Sequence, residues 1–418
     1  MKKILTLILA FIVIGSLFAL PGCKDKDDGN NSNGSKEEGK MIAGRAMMIT
    51  DKEVMETILQ NDRRWLGIAS MERTRGGRIY ASYHTGGTKE GATGPEIENT
   101  TYIVLTKSDD DGNTWDNVAL AVGIIEDEVM GDRYSPALNA ILWTDPDGRL
   151  WFGFTPDFYG DFISYASVCE FPDRQTPVFS ALREIGEGAV CSNPLVTSDG
   201  RWLFSTYVPD YLSSFSNYWG NLVLVYESTD KGENFRVIGK ADSGHRPDFA
   251  QEPMLIEKED GTLDMYMRVN AGIAKSQSFD GGKTWTVGVL YFPGPSTRFF
   301  IQKLSSGRLL LVYHWQSTGR SHLTAMLSED EGATWLDSKL LLDERRYVSY
   351  PDASVGEDGN IYVVYDRERG ALNHEVPGGA REVLIAKFTE TDILQGRLVT
   401  SGSFTKKVIQ KATGNGVL

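Results

Sequence analysis

The 418-residue sequence contains three cysteines and five histidines, too few to suggest a zinc cluster. Fifteen prolines stand against 44 glycines, so tight turns rather than rigid linkers dominate the irregular segments. Cations are in the minority: 43 Lys and Arg face 57 Asp and Glu, a net charge of −14 that argues against a broad basic surface for nucleic acid. What is present is a globular composition, 41% hydrophobic and 11% aromatic, which excludes a disordered chain or a collagen-like fibre and suffices for a large core.

Long apolar runs are also scarce, and the first one is not fold. Lys2 and Lys3 precede the apolar stretch Ile4–Leu20, which meets Pro21, Gly22 and Cys23. A basic start, an apolar run and a small residue before the break read as a secretory signal over 1–22. Leu20-Pro21-Gly22-Cys23 resembles a bacterial lipobox, which implies cleavage before Cys23, lipidation of its thiol and an outer-membrane lipid anchor. Residues 23–41 are polar, low in complexity and read as a flexible tether. In an exported chain Cys169 and Cys191 are free to form a disulfide or to remain two separate buried thiols.

From residue 42 the chain repeats itself. A turn glycine followed by an apolar-rich strand occurs at Gly77, Gly148, Gly200, Gly261, Gly307 and Gly359. A second repeat, Ser-x-Asp-x-Gly-x-x-aromatic, occurs at Ser108–Trp115, Ser228–Phe235, Ser278–Trp285 and Ser328–Trp335. Its aspartates can accept main-chain N–H groups of their own turns, so they are read as turn residues and not as calcium ligands. Six short strand units at this spacing predict an all-β fold, a six-bladed β-propeller over 42–400, with a C-terminal tail at 401–418 that frays except where Val408 and Ile409 dock. Lys52–Gln60 reads as a short amphipathic helix, and Thr389–Leu394 as a capped helical turn.

Two offsets recur against the turn glycines. Seven residues after them stand His84, Thr155, Tyr207, Arg268, His314 and Asp366, all polar, which predicts a wet rim or mouth at that end of the strands. Nine residues before them, three successive blades place Glu252, Arg298 and Tyr350.

These boxes and this order of polar residues resemble the bacterial exo-sialidases and their BNR-repeat relatives, across roughly residues 64–394. The resemblance implies a propeller of sialidase type and assigns roles residue by residue. Glu252 opens a run that ends at Arg268 sixteen residues later, Arg320 precedes the last box, and Tyr350 follows in a Ser-Tyr pair. By resemblance Tyr350 is the nucleophile, Glu252 its base, and Arg268 and Arg320 grip a carboxylate. A phenol of pKa about 10 needs such a base, and arginine forks suit a carboxylate.

Two departures follow. The relatives begin with an arginine where this sequence has Gly67; Arg73 and Arg298 are the candidates to replace it, Arg298 first. The acid/base of the relatives is an aspartate in the loop that is here Gly86–Asn99, which holds Glu90, Glu96 and Glu98 instead. Glu98 is chosen by position, with Glu96 second and Glu72 outside the loop. Arg133, Asp352 and His84 are added as substrate-binding candidates, with Arg367 near Tyr350, His314 as a further partner for hydroxyls, and Tyr218 and Trp219 on a long loop to stack on a sugar ring. The expected function is release of a terminal acidic sugar, sialic acid favoured, from a glycan by a retaining mechanism. Alternatives are a hydrolase or lyase for another acidic glycan such as a uronic-acid glycan, and a glycan-binding lipoprotein that does not cut. No metal or cofactor is expected.

Overall fold

The structure, a computed structural model, describes residues 43–413 apart from 62, 88–89, 127–130, 209–221, 243–250 and 370–379. The signal, the tether with Cys23, and the expected sugar-stacking pair Tyr218 and Trp219 lie outside the described residues.

Six antiparallel sheets follow one another as blades. The inner strands are Leu66–Arg73, Ala137–Thr144, the two short pieces Ala189–Val190 and Leu195–Val196, Gln251–Glu257, Phe300–Lys303 and Val348–Val355. Each is followed by a second strand: Ile79–Thr85, Leu150–Phe158, Trp202–Val208, Leu263–Val269, Leu309–His314 and Ile361–Arg367. The N-terminal strand Ala43–Ile49 pairs with Asp116–Glu126 at the outside of blade one. The ring closes by packing of the first inner strand against the last. The predicted six-bladed propeller is thus the observed fold, and radial repetition leaves only short strand edges. Among the described residues, no helix is long and apolar enough to cross a membrane.

Local chemistry sets the period. The six repeat glycines have φ between 77° and 92°, a region closed to most side chains, so each closes the turn between the inner and second strand of its blade. In the first box Asp110 accepts from the Thr114 main chain at 2.8 Å and its hydroxyl at 2.6 Å, while Ser108 Oγ accepts from Gly112 N at 2.9 Å. The hydroxyl bond, then the main-chain bond, holds the Asp110 carboxyl down to about 2. The aromatic that ends each box, Trp115, Phe235, Trp285 or Trp335, packs against a buried apolar cluster. Successive blades meet closely: a Cβ at Gly239, on the outer strand of blade three, would lie 2.1 Å from the carbonyl oxygen of Gly282 in the box of blade four.

The C-terminal boundary differs from expectation. Phe404–Lys411 is the outer strand of blade six, paired with Glu382–Phe388, so the propeller runs past residue 400. Of the two residues expected to dock, Ile409 does so, 8% exposed, whereas Val408 faces outward at 39%. The helices fall at Lys52–Leu59 and Glu390–Gln395, the second opened by a Thr389–Asp392 capping box.

Four inner strands share a device that aims side chains at the axis. Their pairing slips between Gly67 and Ser70, Leu138 and Ile141, Gln251 and Met254, and Ser349 and Asp352. In each bulge one residue turns left-handed: Ile68, Asn139, Glu252 and Tyr350, with φ of 50° to 53°. All four stand nine residues before the turn glycine, where blades three and five carry Cys191 and Arg298. A bulge re-aims a side chain and breaks period-two alternation, and a non-glycine residue held at positive φ stores about 1–3 kcal/mol of strain.

Candidate active site

The bulges of blades four and six bring Glu252 and Tyr350 to the axis, both buried. Arg268, at the end of the second strand of blade four, reaches between them. Its Nη1 donates to Tyr350 Oη at 2.9 Å and to Glu252 Oε1 at 3.2 Å. Glu252 Oε2 is buried without a hydrogen-bond partner among the described residues. No direct hydrogen bond joins Tyr350 and Glu252, the contact expected for a nucleophile and its base; Arg268 bridges them. Ser296 couples two arginines: its Oγ accepts from Arg268 Nε and its carbonyl from Arg320 Nη2, both at 3.1 Å.

A third guanidinium completes the group, and sequence reasoning missed it. Arg369 lies just after the second strand of blade six, and its Cζ stands 4.0 Å from the centre of the Tyr350 ring. Arg320 and Arg268 stand at 5.6 Å and 5.9 Å from the same centre. Arg268 has Glu252 as counter-ion, and Arg369 has Asp366 at 2.9 Å and Glu90 at 3.3 Å. Arg320 has no acidic side chain within ion-pair distance among the described residues. Burial, with Arg369 beside it, lowers the Arg320 pKa. Burial and the Glu252 charge push the Tyr350 phenol upward against the pull of the three arginines, so it is a neutral hydroxyl at pH 7.

The remaining candidates are placed differently. Arg298 occupies the expected ring position but is committed to the Cys191 carbonyl and, at 3.4 Å, to Asp352. Asp352 in turn accepts from Ser70 Oγ and Met71 N, so this pair latches blade six to blade one. Arg73 sits at the turn end of its strand, paired with Asp358 at 3.1 Å. Neither of the two stands in for the arginine that Gly67 replaces. Glu98, on the 3-10 turn Ile97–Asn99, stands beside Glu96, whose carboxyl its hydrogen bond raises, and near Tyr134; no contact joins it to Tyr350 or the three arginines. The loop carboxylate that reaches the arginines is Glu90. Glu72, raised by burial to about 8, lines an axial cavity of about 560 Å³ with residues from the turn-glycine half of the inner strands.

Arg133 begins a short strand paired with Asp116–Glu126, and no hydrogen bond or ion pair among the described residues joins it to the cluster. Arg367 is held by Glu382 and Glu368. The expected wet rim is dry: His84, Thr155, Tyr207, Arg268, His314 and Asp366 are all 9% exposed or less. His84 lies opposite Gly67, both ring nitrogens without a partner among the described residues, and burial pushes it down to about 3. His314 is likewise lowered by burial to about 4. Tyr207 of blade three stands near Glu252 and Tyr350 and accepts from Asn139 of blade two at 3.2 Å. Cys169 and Cys191 are free, buried thiols.

Residues 77–363 match the family described as the BNR repeat-like domain, more than half of the chain. The chain belongs to the BNR repeat-like family. Solved structures with the same fold include a protein of unknown function from Dyadobacter fermentans, 18% identical, at a TM-score of 0.56 over 77% of this chain and 94% of that one. The Hadza microbial sialidase Hz136 is 17% identical, at a TM-score of 0.55 over 72% of this chain and 63% of its own. The Trypanosoma rangeli sialidase in complex with sialic acid is 14% identical, at a TM-score of 0.55 over 75% of this chain and 53% of its own. This BNR-repeat chain therefore spans less than two thirds of either sialidase, and at such identities the likeness is one of fold. No curated protein matches the sequence.

Proposed function

We propose that this BNR-repeat protein is an exo-acting glycoside hydrolase that releases a terminal acidic sugar, sialic acid favoured, with retention of configuration. The observation that carries the reading is the guanidinium of Arg320. It faces Tyr350 beside Arg268 and Arg369 and has no acidic partner among the described residues. A largely buried cation without a counter-ion is costly, and an anionic ligand removes that cost.

In the proposed reaction the sugar carboxylate lies on the arginines and Tyr350 Oη attacks the anomeric carbon. Glu252, with its unpartnered Oε2, takes the phenol proton. The aglycone oxygen leaves with a proton from the loop acid; water, deprotonated by that residue, then displaces Tyr350, whose oxygen recovers its proton from Glu252. Glu90 is the loop acid supported by position. Its partner is Arg369, and a substrate carboxylate on that guanidinium releases Glu90 towards the leaving oxygen.

The sialic acid preference draws on the sialic acid complex of the Trypanosoma rangeli relative. The test is incubation of the purified protein with a sialyl-oligosaccharide and an aryl glucuronide, following release of free sugar. Release from neither overturns the hydrolase reading. An unsaturated product detected by ultraviolet absorbance assigns a lyase, and binding without release assigns a capture protein. Export and anchoring through a lipid on Cys23 belong to the same proposal, checked by fatty-acid labelling of the protein and its Cys23→Ser variant.

A further inference from the structure

Arg369 and Gly67 come from opposite ends of the propeller sequence and meet where the ring closes. The Arg369 carbonyl accepts from Leu66 N at 3.0 Å, fixing the start of the loop against blade one. The side chain then crosses over Gly67. A Cβ on Gly67 would lie 2.7 Å from Arg369 Cγ, 2.8 Å from Cδ and 3.0 Å from Nε, closer than packed carbon atoms come. Gly67 is not among the positive-φ glycines, so its backbone does not demand glycine. In a strand, glycine often marks the close approach of another group, and here that group is the Arg369 stem.

The guanidinium is aimed by a built support. Asp366 is fully buried, and its carboxylate accepts from Ser349 Oγ at 2.7 Å, Ile68 N at 2.7 Å and Arg369 Nε at 2.9 Å. That anchors the Nε side. The far edge is loosely occupied: Nη1 meets Glu90 at 3.3 Å and Nη2 meets Ser349 Oγ at 3.4 Å. Charge-assisted hydrogen bonds run at about 2.7–2.9 Å, and the Glu90 side chain is 39% exposed. This edge, stacked on Tyr350, can exchange Glu90 for a ligand carboxylate.

We infer that Arg369 is a specificity-determining residue that binds the substrate carboxylate from blade six, and that Gly67 is the gap that admits it. The inference rests on the acidic-sugar reading above and names which arginines hold the acid. Arg268 spends Nη1 on Glu252 and Tyr350 and Nε on Ser296, so Arg369 and Arg320 carry most of the carboxylate grip.

The test is equilibrium binding of free N-acetylneuraminate, D-glucuronate and their methyl esters to the full chain and its variants. Arg369→Met keeps the packed stem and removes the fork. It should weaken binding of the preferred acid about ten- to a hundredfold and leave the ester unchanged. Gly67→Ala removes no charge, yet by displacing Arg369 it should reproduce that selective loss. The double variant should bind no more weakly than Arg369→Met alone, because both act through one group. Wild-type acid binding in Arg369→Met, or equal loss for acid and ester, overturns the inference. So does wild-type binding in Gly67→Ala. If Arg320→Met loses acid binding while Arg369→Met keeps it, the acidic-sugar reading stands and this inference fails. If the unaltered protein binds neither acid, both fail. Melting curves check folding, and Arg369→Lys, which keeps the charge, should fall between the two if Gly67→Ala does not fold.

Discussion

Replacing Glu252 by glutamine tests the chemical core of the proposal, because the structure fixes what remains without a base. An ordinary tyrosine, pKa about 10, is ionised about once in 10³ molecules at pH 7. Burial and the Glu252 charge push the Tyr350 phenol above its ordinary value, so with Glu252 present even that fraction is an upper limit. Loss of a general base typically lowers turnover by about 10²–10⁴-fold, and Glu252→Gln should fall in that range at neutral pH. The pH profile should change shape as well. Glutamine removes the charge that raises Tyr350 while Arg268, 2.9 Å away, still lowers it. The only nucleophile left is preformed phenolate, so turnover should climb close to tenfold per unit between about pH 6 and 9, where the unaltered enzyme stays flat or bell-shaped. The substituted amide can still accept from Arg268 Nη1, so exchanging a charge-assisted bond for a neutral one should cost about 1–2 kcal/mol of stability, read from a melting curve. Sialoside or uronide hydrolysis across pH, with Tyr350→Phe as the inactive reference, decides it. A Glu252→Gln variant with full turnover and an unaltered profile would refute the assignment of the base.

Glu90→Gln should reduce kcat/KM for a glycoside with a poor leaving group by about 10²–10⁴-fold while largely sparing kcat/KM for a nitrophenyl glycoside, whose leaving group needs no proton, even though kcat on that substrate falls because the second step has lost its base; equal losses of kcat/KM on both substrates would remove Glu90 as the acid. Asp392→Asn should lower the melting temperature. Burial alone would raise the Asp392 carboxyl, but hydrogen bonds from the main chains of Thr400 and Val399 and from the Ser403 hydroxyl outweigh it and bring it to about 2. Because the folded value is depressed, this stabilisation of about 1–2 kcal/mol is present above about pH 4 and lost as pH falls towards 2. Denaturant titrations should therefore show the variant and the unaltered protein converging in acid. Gly239→Ala should destabilise by about 2 kcal/mol or more, since the added methyl meets the Gly282 carbonyl at 2.1 Å and that atom is backbone; an unchanged melting temperature would mean blades three and four separate easily.

The blades are legible in the sequence because their causes are local. A glycine at positive φ and an aspartate that bonds its own turn need only a few neighbouring residues, so they survive as a written period. The axis positions are half legible. The nine-residue offset points at Glu252, Arg298 and Tyr350, but the bulges that turn Glu252 and Tyr350 inward leave no pattern of their own in the sequence. The offset also gives no warning that Arg298 is consumed by the Cys191 carbonyl and Asp352. The loop acid is obscured for a related reason. Gly86–Asn99 has no period, so adjacency to the next strand favours Glu98, whereas that residue sits on a 3-10 turn beside Glu96 and Tyr134. Phe404–Lys411 reads as a tail because its alternation is weak and three of its eight residues are lysines.

Arg369 is hidden by topology rather than by chemistry. The sequence announces the vacancy at Gly67; proximity along the chain then points to Arg73, and equivalence by repeat to Arg298. In a closed ring the neighbour of blade one in space is also the last blade in sequence, and the contact that joins them, Leu66 N to the Arg369 carbonyl, is one of the longest-range in the molecule. A missing side chain on an inner strand of blade one is therefore best sought in the loop that leaves the second strand of blade six. Arg369 stands there, three residues after Asp366, the repeat-position aspartate that anchors it. The glycine is then no gap in the machinery. It is the space the last blade needs to bring its arginine to Tyr350, and this makes Gly67→Ala more informative than loss of any one charge, since it alters the site without altering a single functional group in it.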